Sequence, residues 1–344
     1  MTEFSILAVI WFVLWALLWA VYFILDGFDL GMGILLPFIS SGEQDRRVIY
    51  NAAGPYWDAN EVWLITAGGV TFAAFPRAYA VMFSALYAPL FLLLFALIFR
   101  AVSIEYRNKA DSPGWRKICD HCQFLGSLLP ALLLGVAFAN LFQGIPIDGQ
   151  GVYHGNILKL LNPYGLLGGL LFVLMFMHHG ALWLSLKAVG DLREKALTWA
   201  RTIWVCLVGA AVAFLAASAY FTSLYDNIFK MPMLSIFPVL AVAALLGSRL
   251  AAGNSLIAWI LSALFIIGAT FFGVMGMFPS LLPSSMDPAF NVTIINAASS
   301  NLTLKIMLGV AGICVPIVIA YQFWVYMTFA YRITSEELEK EEAY

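Results

Sequence analysis

Nine separate stretches of about 20 mostly apolar residues run along this chain, and they decide what it can become. They cover roughly 5–25, 52–75, 79–99, 118–142, 164–186, 202–222, 232–250, 256–279 and 304–330. A hydrocarbon core about 30 Å thick takes about 20 helical residues to cross. The composition agrees. Of 344 residues, 62% are hydrophobic and 11% charged, and the mean hydropathy is +0.88. Soluble domains are nearer a quarter charged. Strand-like alternation is absent, which argues against a β-barrel. The expected fold class is therefore an all-α integral membrane protein with nine transmembrane helices. The first window lacks a basic leader and a small-residue cleavage site, so it reads as a retained span. A net charge of −2 gives no reason to expect nucleic acid as a partner.

Basic residues set the orientation. Of the 18 lysines and arginines, fourteen follow spans one, three, five and seven or lie in the C-terminal tail. They are Arg46, Arg47, Arg100, Arg107, Lys109, Arg116, Lys117, Lys187, Arg193, Lys195, Arg201, Arg249, Arg332 and Lys340. Only Arg77, Lys159, Lys230 and Lys305 fall on the other side. The reading puts the N-terminus outside and the C-terminus in the cytoplasm. Packing by number suggests a unit over 1–142, a second over 143–279, and an outer loop, ninth helix and tail over 280–344. Prolines 89, 130, 238 and 316 fall within the spans, where they can kink a helix.

Ionisable groups inside a membrane are functional candidates by default, because lipid makes them costly. Asp26 and Asp29 lie in "LDGFDLGMG", Asp58 and Glu61 in "GPYWDANEVWLITAGG", and Arg100 and Glu105 in "FRAVSIEYR". Each acidic pair of the first two spans is spaced i, i+3 and so shares a helix face. The glycines beside Asp26 permit either close packing or a break. The topology puts all six groups on the cytoplasmic half. If the second helix starts near Tyr50, Asp58 lies about 12 Å in, at 1.5 Å per residue. The groups then form a ladder from water inward: Glu105 and Arg100, next Asp29 and Asp26, and last Asp58. Such carboxyl groups can hand on protons. They can equally cap helix starts or pair with Arg46, Arg47 and Arg100.

Other candidates read more plainly. His178 and His179 are adjacent, so they point to different helix faces and cannot ligate one iron together; a satisfied polar pair facing the bundle is the preferred reading. Cys119 and Cys122 form a lone CxxC without further metal ligands, read as helix-start thiols. Trp11, Trp15 and Trp19 make one stripe on the first helix, which suits an interfacial or lipid-facing band.

The motifs together resemble subunit II of the cytochrome bd quinol oxidases. They are "LDGFDLGMG", "GPYWDANEVWLITAGGVTFAAFP", "FRAVSIEYR", "GVAFANLFQGIP", "LLNPYGLLGG", "HGALWL" and "NAASSNLTLKIM", in that order along the whole chain. The resemblance implies two four-helix bundles plus one peripheral helix, in the bacterial inner membrane. It implies reduction of dioxygen to water with electrons from quinol, which generates proton-motive force. Haems b558, b595 and d would be held by a partner, the haem-binding subunit I, in a heterodimer. By motif, Asp26, Asp29, Asp58, Arg100 and Glu105 would belong to a proton path, with Glu61 a weaker member. Trp57, Asp58 and Trp63 would lie near the subunit I haems or the oxygen route. A structural quinone or lipid, and a small single-span accessory subunit, are left open. Two other readings compete: a proton-coupled transporter, and a subunit that itself holds haem through His178 or His179.

Overall fold

The computed structural model describes residues 5–339, apart from 252 and 335. Lys340, counted above among the basic tail residues, lies outside the described residues. Fourteen α-helices follow one another: α1 (Ile6–Ile39), α2 (Glu43–Ala53), α3 (Trp57–Ala74), α4 (Pro76–Ala85), α5 (Tyr87–Tyr106), α6 (Pro113–Gln143), α7 (Ile157–Leu160), α8 (Pro163–Lys187), α9 (Gly190–Phe221), α10 (Leu224–Lys230), α11 (Ile236–Leu250), α12 (Ser255–Met277), α13 (Ile294–Ala297) and α14 (Asn301–Thr328). One small antiparallel hairpin, β1 (Ser280–Leu282) with β2 (Val292–Thr293), sits in the loop after α12.

Among the described residues, eight helical stretches are long and apolar enough to cross a membrane. They are α1, α5, α6, α8, α9, the stretch Pro232–Leu250 that ends in α11, α12 and α14. The remaining expected window is α3, whose 18 residues span about 27 Å at 1.5 Å each. Its Asp58, Asn60 and Glu61 dilute the apolar character of the helix. The fold is all-α and multi-pass.

α1 is the hub. It packs on α3, α6, α8 and α12, while α6 also meets α5 and α8, α8 meets α9, and α11 meets α12. α14 stands apart, with its main helix contacts to α1 and α3. The glycines of "LDGFDLGMG" serve packing, not a break, and α1 runs straight through them for 34 residues. A Cβ on Gly31 would fall 1.8 Å from the Phe176 carbonyl oxygen, and one on Gly180 would fall 2.6 Å from Met32 N. The α1 and α8 backbones therefore touch, as small residues permit in membranes.

Two expected spans come out differently. The second window is broken by the turn at Gly54-Pro55-Tyr56, so an amphipathic α2 precedes α3. The third window is split at Leu86, whose φ of −101° and ψ of 18° are not helical; the span proper runs from Tyr87 to Tyr106. Pro89 and Pro238 then stand in the first turns of α5 and α11, where a missing N–H costs nothing. Only Pro37, Pro130 and Pro316 lie inside described helices.

The tryptophan stripe does not face lipid. Trp11, Trp15 and Trp19 are all buried. Trp11 Nε1 donates to the Leu304 carbonyl (3.1 Å) and Trp15 Nε1 to Thr71 Oγ1 (2.8 Å). Trp19 meets Phe138 edge to face at 5.0 Å. The stripe is the seam between α1 and its neighbours α3, α6 and α14. Trp11 and Trp15 are buried with their N–H groups satisfied and pack well there, so a periodic stripe alone could not tell seam from lipid face.

Basic groups from separate connections converge at one end of the molecule. Arg46 pairs with Asp120 (3.2 Å), Arg107 with Glu43 and Asp120 (2.8 and 2.7 Å), and Lys195 with Asp45 (3.2 Å). Arg47 donates to the Leu338 carbonyl of the tail at the same end.

Candidate functional site

The charged residues of three helices meet inside the molecule. Arg100 projects from α5, six residues before its end, and is fully buried. Its Nη2 donates to Asp26 Oδ1 of α1 (2.5 Å) and to Glu61 Oε2 of α3 (3.1 Å). The Asp26 side chain is also fully buried, and that of Glu61 is 22% exposed. Two carboxylates thus share one guanidinium edge. Such a pair is stable only because each charge compensates the others' loss of water.

One turn along α1, Asp29 is buried and accepts from Asn60 Nδ2 (2.7 Å). Asn60 also donates to the Leu25 carbonyl and accepts from Tyr326 OH. This asparagine carries the connection from α1 through α3 to α14. It stands between Asp58 and Glu61 in sequence, but a neutral residue gives no charge signal, and its role is visible only in the packing.

Asp58 is exposed. The expected depth of about 12 Å assumed a helix from Tyr50. Because α3 restarts at Trp57, Asp58 falls in its first turn. Asp58 and Arg100 therefore exchange places in the ladder. Asp58 is outermost, Glu61 lies one turn further in, and Asp26 and Arg100 lie innermost with Asp29 beside them. Arg100 does not close its span, since α5 runs on to Tyr106 and draws the guanidinium into the core. Glu105, partly exposed, stays near the surface.

Asp58 and Glu105 line a cleft of about 780 Å³, together with Trp57, Lys187, Tyr321 and Trp324. Lys187 is a member that sequence reading placed only among the interfacial positive charges. It is buried, and its Nζ donates to Tyr56 OH (2.7 Å) and to the Phe329 carbonyl. It also lies over the rings of Tyr56 and Trp183, at 5.0 and 5.1 Å, as cations do. Trp63 is buried, and its Nε1 donates to Gln322 Oε1 of α14 (3.1 Å). Trp57 and Trp63 therefore do not share one environment.

A second charged group lies toward the end of the molecule. Arg107 grips Glu43 with two nitrogens (2.8 and 2.9 Å) and Asp120 with a third (2.7 Å), and it lies 4.9 Å from the Tyr50 ring centroid. The Arg107 guanidinium holds the Glu43 carboxyl below its ordinary value. This group ties α2 to the ends of α5 and α6.

The two central histidines turn inward. His178 Nδ1 meets the Ala200 carbonyl (3.1 Å) and its Nε2 meets Ser248 Oγ (3.4 Å). His179 Nε2 meets the Ile24 carbonyl (3.1 Å) and its Nδ1 meets Ser262 Oγ. All four ring nitrogens are engaged by the chain itself, so these residues do not fit a haem ligand. The polar pair facing the bundle is what the structure has. Cys119 is buried and Cys122 partly so, and both are free thiols on α6. Among the described residues no group of three or more His, Cys, Asp or Glu is placed to hold a metal ion.

Fold and site define a class: an all-α, multi-pass membrane protein whose central helices hold a buried guanidinium between two acids. Comparison with known proteins narrows it. The family described as "Cytochrome bd terminal oxidase subunit II" matches residues 7–329. The "Probable cytochrome oxidase subunit 2" of Haemophilus influenzae is 38% identical over 99% of this chain and 98% of that protein. The "Cytochrome bd ubiquinol oxidase subunit 2" of Bacillus subtilis is 36% identical over 95% and 97%. A solved chain described as "The structure of bd oxidase from Geobacillus thermodenitrificans" has the same fold, with a TM-score of 0.77 over 94% of this chain and 99% of that one, at 16% identity. The chain belongs to the subunit II family of cytochrome bd terminal oxidases. It is an oxidoreductase subunit of a quinol:dioxygen oxidase and a multi-pass protein of the inner membrane.

Proposed function

We propose that this subunit brings protons from the cytoplasm toward the haems of its partner, subunit I, along Asp58, Glu61, Arg100 and Asp26. One observation carries the reading: acids of graded exposure lead from an open cleft to a fully buried ion pair. Asp58 is exposed, the Glu61 side chain is 22% exposed, and those of Asp26 and Arg100 are at 0%. A structural ion pair alone needs no such gradient. Glu105 is a second entry group on the same cleft. Asp29, tied to Asn60, is a side branch of the route. Trp57 lies at the mouth and Trp63 against α14, which supports a place near the partner or the oxygen route more for Trp57.

In this reading haems b558, b595 and d belong to subunit I, and the bond-making steps occur there. The chain has no complete active site of its own. It supplies packing and proton access, and the heterodimer couples quinol oxidation to proton-motive force. The orientation is N-terminus outside and C-terminus in the cytoplasm. The clustering of Arg46, Arg107, Lys195 and the tail at one end supports it. With α3 as the ninth span, α1, α3, α5 and α6 group as a first four-helix bundle, and α8, α9, α11 and α12 as a second. α14 is then the peripheral helix, which its sparse contact with the rest of the helices supports. A proton-coupled transporter would explain buried acids equally well, but it has no support from the family match.

The test uses the assembled oxidase. Asp58→Asn and Glu61→Gln should slow oxygen consumption with quinol while the visible haem spectrum stays intact. Unchanged turnover in both would overturn the proton role.

A further inference from the structure

Around the ion pair lies a surplus of buried polar atoms without a protein partner. Arg100 uses only Nη2; its Nε and Nη1 are buried and make no hydrogen bond. The same holds for Asp26 Oδ2, Asp29 Oδ1 and Tyr22 OH. Tyr22 is fully buried on α1, one turn before Asp26, with Asp26, Arg100 and Glu61 as its charged neighbours. Trp19 Nε1, one further turn along the same helix, is likewise buried and unpartnered.

These atoms are complementary. The guanidinium offers three N–H donors, the phenol one O–H, and the two aspartates one carboxylate oxygen each. Leaving a buried donor or acceptor unmade costs about 1–3 kcal/mol, and more when it is charged. Buried polar atoms that the chain itself leaves without a partner are normally satisfied by buried water, each water making about three bonds. Polar walls of this kind suit water, whereas dry cavities are apolar.

We propose that Tyr22 and the unpaired edges of Arg100, Asp26 and Asp29 hold an ordered water cluster that extends the proton route one turn beyond the ion pair. The inference rests on the proton reading above. Tyr22 is four residues before Asp26, so the step adds about 6 Å of depth at 1.5 Å per residue. Tyr22 acts by orienting these waters; its hydroxyl can accept from one water and donate to the next, so a proton taken up on one side is replaced by one given up on the other. A phenylalanine would keep the packing against Trp19 and Phe23 but remove that link.

Two measurements on the assembled oxidase test this. The first is a water-resolving cryo-electron microscopy map of the unmodified complex. Ordered density within hydrogen-bonding distance of Arg100 Nε or Nη1 and of Tyr22 Oη or Asp29 Oδ1 is expected, and a dry site would overturn the proposal. The second compares turnover in H₂O and D₂O for Tyr22→Phe and Glu61→Gln. Tyr22→Phe should slow turnover roughly threefold to tenfold, with a larger solvent isotope effect and an unchanged haem spectrum. If Glu61→Gln slows turnover and Tyr22→Phe matches the parent, the water step is wrong and the entry route stands. If neither slows, the proton reading itself fails, and this proposal with it.

Discussion

Arg100 of α5 and Asp26 of α1 form a fully buried ion pair 2.5 Å apart, 74 residues apart in sequence. Glu61 of α3 reaches the same guanidinium nitrogen at 3.1 Å. The hub helix α1 is thus joined to α3 and α5 at one charged point. Removing one partner strands the others, so Arg100→Gln should destabilise the subunit by about 3–5 kcal/mol. Arg100→Lys should fall between, because a point charge cannot present the guanidinium's fork. Thermal unfolding of the purified complex, followed by fluorescence, measures both. A stable, fully assembled Arg100→Gln complex would show that the pair holds nothing together.

The crossing of α1 and α8 makes a separate prediction. Gly31→Ala would place a methyl group 1.8 Å from a backbone oxygen that cannot yield without moving α8. Overpacking of this kind costs about 1–3 kcal/mol or more, so the yield of assembled complex should fall. Gly69→Ala on α3 meets nothing within 4 Å in this chain. Alanine is also the better helix former by about 1 kcal/mol, so that variant should be neutral or slightly stabilising. Equal yields from both variants would refute the close approach at Gly31.

The Glu43–Arg107 clamp predicts a dependence on pH. Glu43 titrates below its ordinary value of 4.5 because Arg107 hydrogen-bonds its carboxylate. A carboxyl whose folded value is lowered gives stability that is present above 4.5 and is lost as pH falls through the folded value. The stability gap between the parent and Glu43→Gln should therefore be constant near neutrality and shrink below about pH 4.5. Thermal unfolding across pH 3 to 7 checks it. A gap that widened in acid would contradict the sign.

The sequence disclosed the spans and the cast of charged residues, because apolar length and intramembrane charge are local signals. It did not disclose how deep each residue lies. The turn at Gly54-Pro55-Tyr56 moved Asp58 to the surface, and the extension of α5 to Tyr106 buried Arg100. Both shifts come from element ends, where a few residues decide. The burial of Trp11, Trp15 and Trp19 was hidden for another reason. Lipid and protein interior are equally apolar, so a tryptophan stripe reads the same in either. Asn60, Lys187 and the Arg107–Asp120 clamp carried no pattern at all, since their partners come from distant helices. The resemblance to a known family placed Asp26, Asp58 and Arg100 on one path; in the structure Asp26 touches Arg100 while Asp58 is exposed, and only the packing showed that Glu61, ranked lowest, touches Arg100 directly.

The central claim is that graded acids lead protons to the buried pair. Its most direct test is the oxygen-consumption rate of the haem-replete oxidase carrying Glu61→Gln and Asp58→Asn together, with quinol saturating. The account predicts a rate reduced roughly tenfold or more, equivalent to about 1.4 kcal/mol on the limiting step. A double variant that turns over at the parental rate with its full haem complement would contradict it.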